Sequence, residues 1–193
     1  RELAARIHHA GSISFVSGKD VKLETYVAIL NVGDTIRRDL PWTSVACDGW
    51  AIQICSTGGP IELMFERCNP AATLAAASLG STEVFKRLLG IVGPLGTLFD
   101  NEVFSLLTYT ADPDPGPEIN RPLRLDCVLA GHGAIGNGVR HVLLELPVEG
   151  WFAVVDNQTA DHENWGTYID LLPSQFGVSK ARLATLGWGS RVN

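Results

Sequence analysis

Charge is scarce in this sequence, internal repeats are absent, and no apolar run is long enough to span a bilayer. Charged residues make up 19% of the 193 residues, and the formal net charge is -6. A general binder of nucleic acid or of an anionic membrane surface is therefore disfavoured, although a local phosphate site is not. A transmembrane helix needs about 18 or more consecutive apolar residues, and none is present; no basic-then-apolar leader is visible either. The four cysteines, Cys47, Cys55, Cys68 and Cys127, form no C-x-x-C pair and have no histidines at zinc spacing. That excludes a recognisable closed metal site or redox motif and leaves reduced, mostly buried thiols in a cytoplasmic protein as the expectation. The first residue is Arg1 rather than Met, so further sequence is expected before it.

What is present is an ordinary globular composition, 46% hydrophobic, with enough length to bury one core or two small ones. Its most informative stretch is Leu125-Asp126-Cys127-Val128-Leu129-Ala130-Gly131-His132-Gly133-Ala134-Ile135-Gly136. The apolar run reads as a buried strand, the glycines as a turn, and Val139, Val142, Leu143 and Leu146 as one face of a helix. Pro147 and Gly150 close that helix, and Trp151 to Asp156 reads as a second strand. In such a strand-helix-strand unit G-x-G-x-x-G has a mechanical meaning. Gly131 permits the tight turn, Gly133 lets backbone approach a phosphate, and Gly136 lets the helix pack on the strand. Asp156, at the tip of the second strand, is placed to accept hydrogen bonds from ribose hydroxyls. The competing reading is a structural turn that binds nothing.

Upstream, Tyr26 to Val32 reads as a buried strand, and Asp48-Gly49 between Thr43–Cys47 and Trp50–Cys55 reads as a tight hairpin. Residues 69–89 form the clearest helix. Asn69 caps it, Pro70 suits its first turn, Leu74, Ser78, Phe85, Leu88 and Leu89 are read as its inner face, and its small residues let another backbone approach. Lys86 and Arg87 suit the negative end of its dipole. Leu3, Ala4, Ile7 and Ala10 suggest a helix over 1–10, Phe104–Tyr109 a strand, and about 174–186 a last helix. Asp112 to Glu118 cannot continue any regular element. The expected division is an α+β subdomain over 1–111, a Pro/Asp-rich linker over 112–120, and over 121–193 the first part of an α/β, Rossmann-like nucleotide-binding domain.

The order glycine turn, strand-end Asp156, Asn164 eight positions later, then Gly177-Val178-Ser179-Lys180-Ala181 resembles the ThiF family, the adenylyltransferases related to ubiquitin-activating enzymes. Cys47-Asp48-Gly49-Trp50-Ala51 and the small-residue helix from Asn69-Pro70-Ala71-Ala72 to Glu83-Val84-Phe85-Lys86 are similar to pieces that precede the nucleotide domain in bacterial members. The resemblance implies ATP with magnesium, and activation of the C-terminal carboxylate of a ubiquitin-like or sulfur-carrier protein as an acyl-adenylate, usually by a homodimer. It implies that Gly131, Gly133, Ala134, Ile135 and Gly136 cradle phosphates and that Asp156 holds the ribose, with Gln158 beside it. Asn164 would contact the nucleotide near its phosphates, and Lys180 would stabilise charge as pyrophosphate leaves.

This chain departs from that pattern twice. Gln158 stands where the family has a second acid, and Thr167 where it has an arginine, which removes a strong phosphate partner unless Arg37 or Arg38 replaces it. Only one helix is expected after Asp156, whereas a nucleotide-binding sheet of this kind needs further strands, so the chain reads as a fragment inactive alone. Two other classes stay open: an NAD(P)-dependent oxidoreductase, on the glycine turn and Asp156 alone, and a non-catalytic binding or dimerisation subunit. His132 is expected to fill space, the pair His141 and Glu145 to lie on a surface, and Asp161, His162 and Glu163 to form a polar loop rather than a magnesium site.

Overall fold

The computed structural model describes residues 14, 16, 21–35, 37–63, 66–169 and 171–188, so the helix expected over 1–10 lies outside the described residues. The chain divides into two compact units, one of residues 18–119 and one that contains 120–193. Both mix helix and strand, and the protein is of the α/β class. No helix among the described residues is long and apolar enough to cross a membrane.

In the first unit β1 (Ile29–Val32), β2 (Trp42–Asp48), β3 (Ala51–Cys55) and β4 (Asn101–Ser105) form one sheet in that order. β1 runs parallel to β2, and the other neighbours are antiparallel. The β2–β3 hairpin turns at Gly49-Trp50, where Gly49 has φ +55°. A side chain there would also strike the carbonyl of Pro115, so only glycine fits this turn. Helix α1 (Pro70–Leu89) starts where the Asn69 carboxamide oxygen accepts the Ala71 N–H at 3.0 Å, and it ends at the left-handed Gly90.

The packing of α1 reverses its expected orientation. Ala72, Ala76, Gly80 and Glu83 face inward, whereas Phe85, Leu88 and Leu89 are exposed. The physical reason lies at Gly80, where an added Cβ would sit 2.6 Å from Leu30 Cδ1 and 2.8 Å from Val45 Cγ1. The helix approaches the sheet too closely for bulky residues, and the core is Val45, Ile52 and Ile54 against Ala72 and Ala76. Glu83, wholly buried, accepts from Ser56 Oγ at 2.9 Å, the Phe99 N–H at 2.8 Å and Lys86 Nζ at 2.5 Å. Arg87 donates to the Ser56 and Trp42 carbonyls, and burial holds its guanidinium pKa below the usual value. Arg87 thus ties the helix end to the sheet, and Lys86 ties it to the Thr97 carbonyl, which is more than a dipole effect.

Two strands also differ from their expected form. β1 is shorter than 26–32 and half-exposed, because it is an outer strand of its sheet. β4 begins and ends earlier than 104–109; beyond Ser105 the chain turns through Tyr109, which has φ +58°. The Pro/Asp-rich segment has no regular structure, yet it is pinned to the hairpin. Trp50 N–H donates to the Pro115 carbonyl at 2.8 Å, Trp50 Nε1 to that of Pro117 at 3.0 Å, and Arg67 Nη1 to that of Gly116 at 2.7 Å.

In the second unit β5 (Leu123–Ala130), helix α2 (Ala134–Glu145) and β6 (Val148–Val155) are consecutive. The strands pair in parallel from Leu123↔Val148 to Ala130↔Val155, as a helical crossover requires. β5 is only half-buried: Leu125, Cys127 and Leu129 turn inward, while Val128 is exposed. A second core follows, Ala160, Tyr168, Leu171 and Leu183 with Phe176 and Val178 against them. The last helix, α3 (Lys180–Ala184), is shorter than the expected 174–186. Gly177 has φ +82°, and Thr159 pairs with Ser179 in a β-bridge, so no helix can run through that point.

Candidate functional site

The turn between β5 and α2 is shaped by its three glycines in three different ways. Gly131 has φ +93° and donates its N–H to the Val155 carbonyl at 2.8 Å, which fastens the turn to β6. Gly136 lies where a Cβ would be 3.1 Å from the Gly131 carbonyl carbon and closer still to its oxygen. Gly133 is the opposite case. It has an ordinary φ of -76° at the N-cap of α2, no atom lies within 4 Å of where its Cβ would be, and no side chain caps the helix. Open space therefore lies beside Gly133 at the start of a twelve-residue helix whose first-turn N–H groups have no side-chain cap. Ala134 occupies the first helical position, and Ile135 is exposed beside it.

His132, inside the turn, points into the protein. Its ring is buried against Tyr168 at a centroid distance of 5.4 Å, and the Tyr168 hydroxyl donates to the His132 carbonyl. Burial, with the Asp156 charge adding to it, pushes the Tyr168 phenol up to about 12. The next turn of α2 is fixed likewise: Asn137 Oδ1 accepts the Ile169 N–H at 2.8 Å, and Arg140 Nε donates to the Ala184 carbonyl at 3.0 Å. Tyr168, Asn137 and Arg140 were not singled out by sequence reasoning, and no motif marks them. Their role depends on partners 32 to 44 positions away.

Asp156 joins the glycine turn to the rest of the site. Its Oδ2 accepts the His132 N–H at 2.7 Å and its Oδ1 the Gln158 N–H at 2.8 Å. Partial burial works to raise its pKa, but those two bonds and the positive charge of Lys180 outweigh it, and the carboxylate is held below its usual range. Gln158 then reaches Lys180 twice. Its backbone carbonyl accepts the Lys180 N–H at 2.9 Å, and its Oε1 accepts from Lys180 Nζ at 2.7 Å.

Gln158 and Lys180 border a cleft of about 430 Å³ lined also by Asn157, Thr159, Asp161, Glu163 and Asn164, with Asp156 behind it rather than in its lining. Lys180 is only 5% exposed, forms no ion pair among the described residues, and spends one of its three ammonium protons on the neutral Gln158 amide. Asn164 serves partly as a cap: its Oδ1 accepts the Asp161 N–H at 3.1 Å, while Asp161 Oδ1 accepts the Glu163 N–H at 3.0 Å. That leaves the Asn164 NH2 group without a partner among the described residues. Asp156, Gln158, Asn164 and Lys180 are thus gathered at one place, and the Asp156–His132 bond links them to the glycine turn, whose own residues do not line the cleft.

The remaining candidates have partners of their own. Thr167 Oγ1 turns back to the Asn164 carbonyl, Arg37 pairs with Asp39 at 2.8 Å in the first unit, and Arg38 Nε donates to the Gly58 carbonyl. The Arg37 guanidinium, with a backbone bond adding to it, brings the Asp39 carboxyl down to about 2. No group of three or more histidine, cysteine, aspartate or glutamate side chains that could hold a metal ion occurs among the described residues. All four cysteines are free thiols. No family model matches this chain, and no curated protein matches it.

Proposed function

We propose that this chain carries an ATP site of the ThiF-like adenylyltransferase kind, in a Rossmann-like setting. Its reaction would be activation of the C-terminal carboxylate of a ubiquitin-like or sulfur-carrier protein. The observation that carries the reading is Lys180. Its buried ammonium feels the charge of Asp156 but has its one hydrogen bond among the described residues to a neutral amide, which leaves two donor protons for an anion at the mouth of the cleft. A nucleotide offers that anion together with a ribose for Asp156, whose fixed negative charge is suited to hydroxyl donors. The uncapped start of α2 and the room in front of Gly133 offer a second place for phosphate oxygens.

In this reaction a carboxylate oxygen of the carrier protein attacks the α-phosphorus of ATP. The new bond is acyl oxygen to phosphorus, the bond to the β-phosphate oxygen breaks, and pyrophosphate departs with that electron pair. Catalysis here is alignment and neutralisation of charge. The Lys180 ammonium and the α2 N–H groups stabilise negative charge on the phosphates, the Asn164 NH2 donates near them, and Asp156 keeps the sugar in register. Magnesium bound to the triphosphate would neutralise part of its charge. The free thiols suit a reducing, cytoplasmic setting, and a homodimer is the assembly the resemblance implies.

The test is ATP–pyrophosphate exchange by the full-length protein in the presence of a carrier protein ending in a free carboxylate, with NAD binding measured alongside. Exchange that disappears in Lys180→Ala supports the reading; binding of NAD with no response to ATP overturns it in favour of a dinucleotide enzyme. A second reading is favoured by one observation: Thr167 places no cation where the family has an arginine, and its hydroxyl is bonded to the Asn164 backbone. A non-catalytic binding subunit would bind ATP and show no exchange.

A further inference from the structure

Gln158 occupies a position that a nucleotide site does not obviously need, since the ribose acid is Asp156. Three of its four polar groups are nevertheless committed within the site: the N–H to Asp156 Oδ1 at 2.8 Å, the carbonyl to the Lys180 N–H at 2.9 Å, and Oε1 to Lys180 Nζ at 2.7 Å. We infer that Gln158 is the positioning residue of the anion site, fixing the Lys180 ammonium at the cleft by a neutral acceptor so that its positive charge stays available to the ligand.

The chemistry of the alternatives supports this. A glutamate of the same length would hold the lysine equally well but would cancel its charge, and an arriving phosphate would have to displace a carboxylate already in contact. An alanine would leave the charge uncancelled but the side chain unanchored, so each binding event would include the entropy cost of immobilising a lysine. Glutamine alone combines a fixed ammonium with an uncancelled one. Asp156 lies within electrostatic reach of Lys180, but both of its oxygens already accept backbone N–H groups and it makes no direct ion pair with the ammonium, so no contact between the two has to break when an anion arrives. The two roles separate experimentally, since position and charge respond differently to the two substitutions.

The inference rests on the anion-site reading above, and its test has one arm that does not. In the ligand-free full chain, the rate of lysine acetylation by an N-hydroxysuccinimide ester is followed by peptide mass spectrometry, with exposed Lys22 as internal reference. Gln158→Ala is expected to raise the Lys180 to Lys22 ratio about tenfold or more, the scale of one charged hydrogen bond released, whereas Gln158→Glu leaves the ratio at or below that of the parent. In the second arm calorimetry with ATP and with inorganic pyrophosphate reads affinity. Gln158→Glu is expected to lose about tenfold or more for both anions, and Gln158→Ala a smaller factor. An unchanged ratio in Gln158→Ala, or anion binding by Gln158→Glu equal to the parent's, overturns the inference. So does a parallel loss in both variants that tracks their thermal stability, since that marks a merely structural residue. If the parent chain takes up neither anion, the nucleotide reading and the charge argument fail together, while the acetylation arm still decides whether Gln158 holds the lysine.

Discussion

Gly133 and Gly136 are three residues apart in one turn, and replacing each by alanine should separate folding from ligand contact. At Gly136 the added methyl meets the Gly131 backbone, 3.1 Å from its carbonyl carbon and closer to its oxygen, and a backbone group fastened to β6 through the Gly131 N–H cannot step aside. Overpacking of this kind costs about 1–3 kcal/mol, offset by up to about 1 kcal/mol of helix propensity gained over glycine. The net is a loss on the order of 1–2 kcal/mol, or a midpoint lowered by roughly 5–10 °C for a unit of this size. At Gly133 the methyl meets nothing within 4 Å and φ is -76°, so stability should move by less than about 1 kcal/mol. The same methyl, however, projects into the space proposed for phosphate, and ATP affinity should fall about tenfold or more. Circular dichroism melts and ATP calorimetry on both variants read the two effects. A Gly136→Ala protein as stable as the parent, or a Gly133→Ala protein that binds ATP undiminished, refutes the reasoning.

Three further outcomes are expected. Glu83→Ala should destabilise the first unit by about 3–5 kcal/mol in urea titrations, because Ser56, Lys86 and the Phe99 N–H lose a wholly buried acceptor; Glu83→Gln should cost visibly less. Tyr168 ionises near its ordinary pKa when unfolded but is pushed up to about 12 when folded. The unfolded chain therefore sheds its proton first, stability falls as pH rises from about 10 towards 12, and Tyr168→Phe should flatten that slope in alkaline denaturation. Asp156 has its folded pKa depressed, so its contribution is present above the ordinary carboxylate pKa and is lost as pH falls through the folded value; in acid denaturation Asp156→Asn should remove that dependence.

The parts of this fold that were legible in the sequence are those decided locally. Asp48-Gly49 specified a hairpin because only a left-handed residue closes it, Asn69-Pro70 marked a helix start, and the spacing of Gly131, Gly133 and Gly136 marked a strand, turn and helix. What depends on the third dimension is not legible there. The large residues of α1 point to the wrong inner face, because the close approach of Gly80 to Leu30 and Val45 puts the small ones inside. Composition carries the last helix through Gly177, whose positive φ and the neighbouring Thr159–Ser179 bridge stop it.

The site divides in the same way. Asp156, Asn164 and Lys180 stood out by their order along the chain, but nothing in the sequence tells that Lys180 is buried. That depends on Gln158, 22 positions earlier, holding both its backbone and its ammonium. Nor was it legible that the Asp156 carboxylate would be bound by backbone N–H groups from both sides. The segment from Asp112 to Glu118 shows the limit of composition: its prolines exclude regular structure, but they do not forbid it from packing against Trp50.

The most direct test is a calorimetric titration of the chain with ATP, repeated with Lys180→Ala and with NAD as the competitor ligand. The account predicts a saturable ATP isotherm that collapses in the variant, with no comparable response to NAD. An isotherm unchanged by loss of the Lys180 amine would contradict it, because the buried ammonium that acts on Asp156 would then have no part in holding the nucleotide.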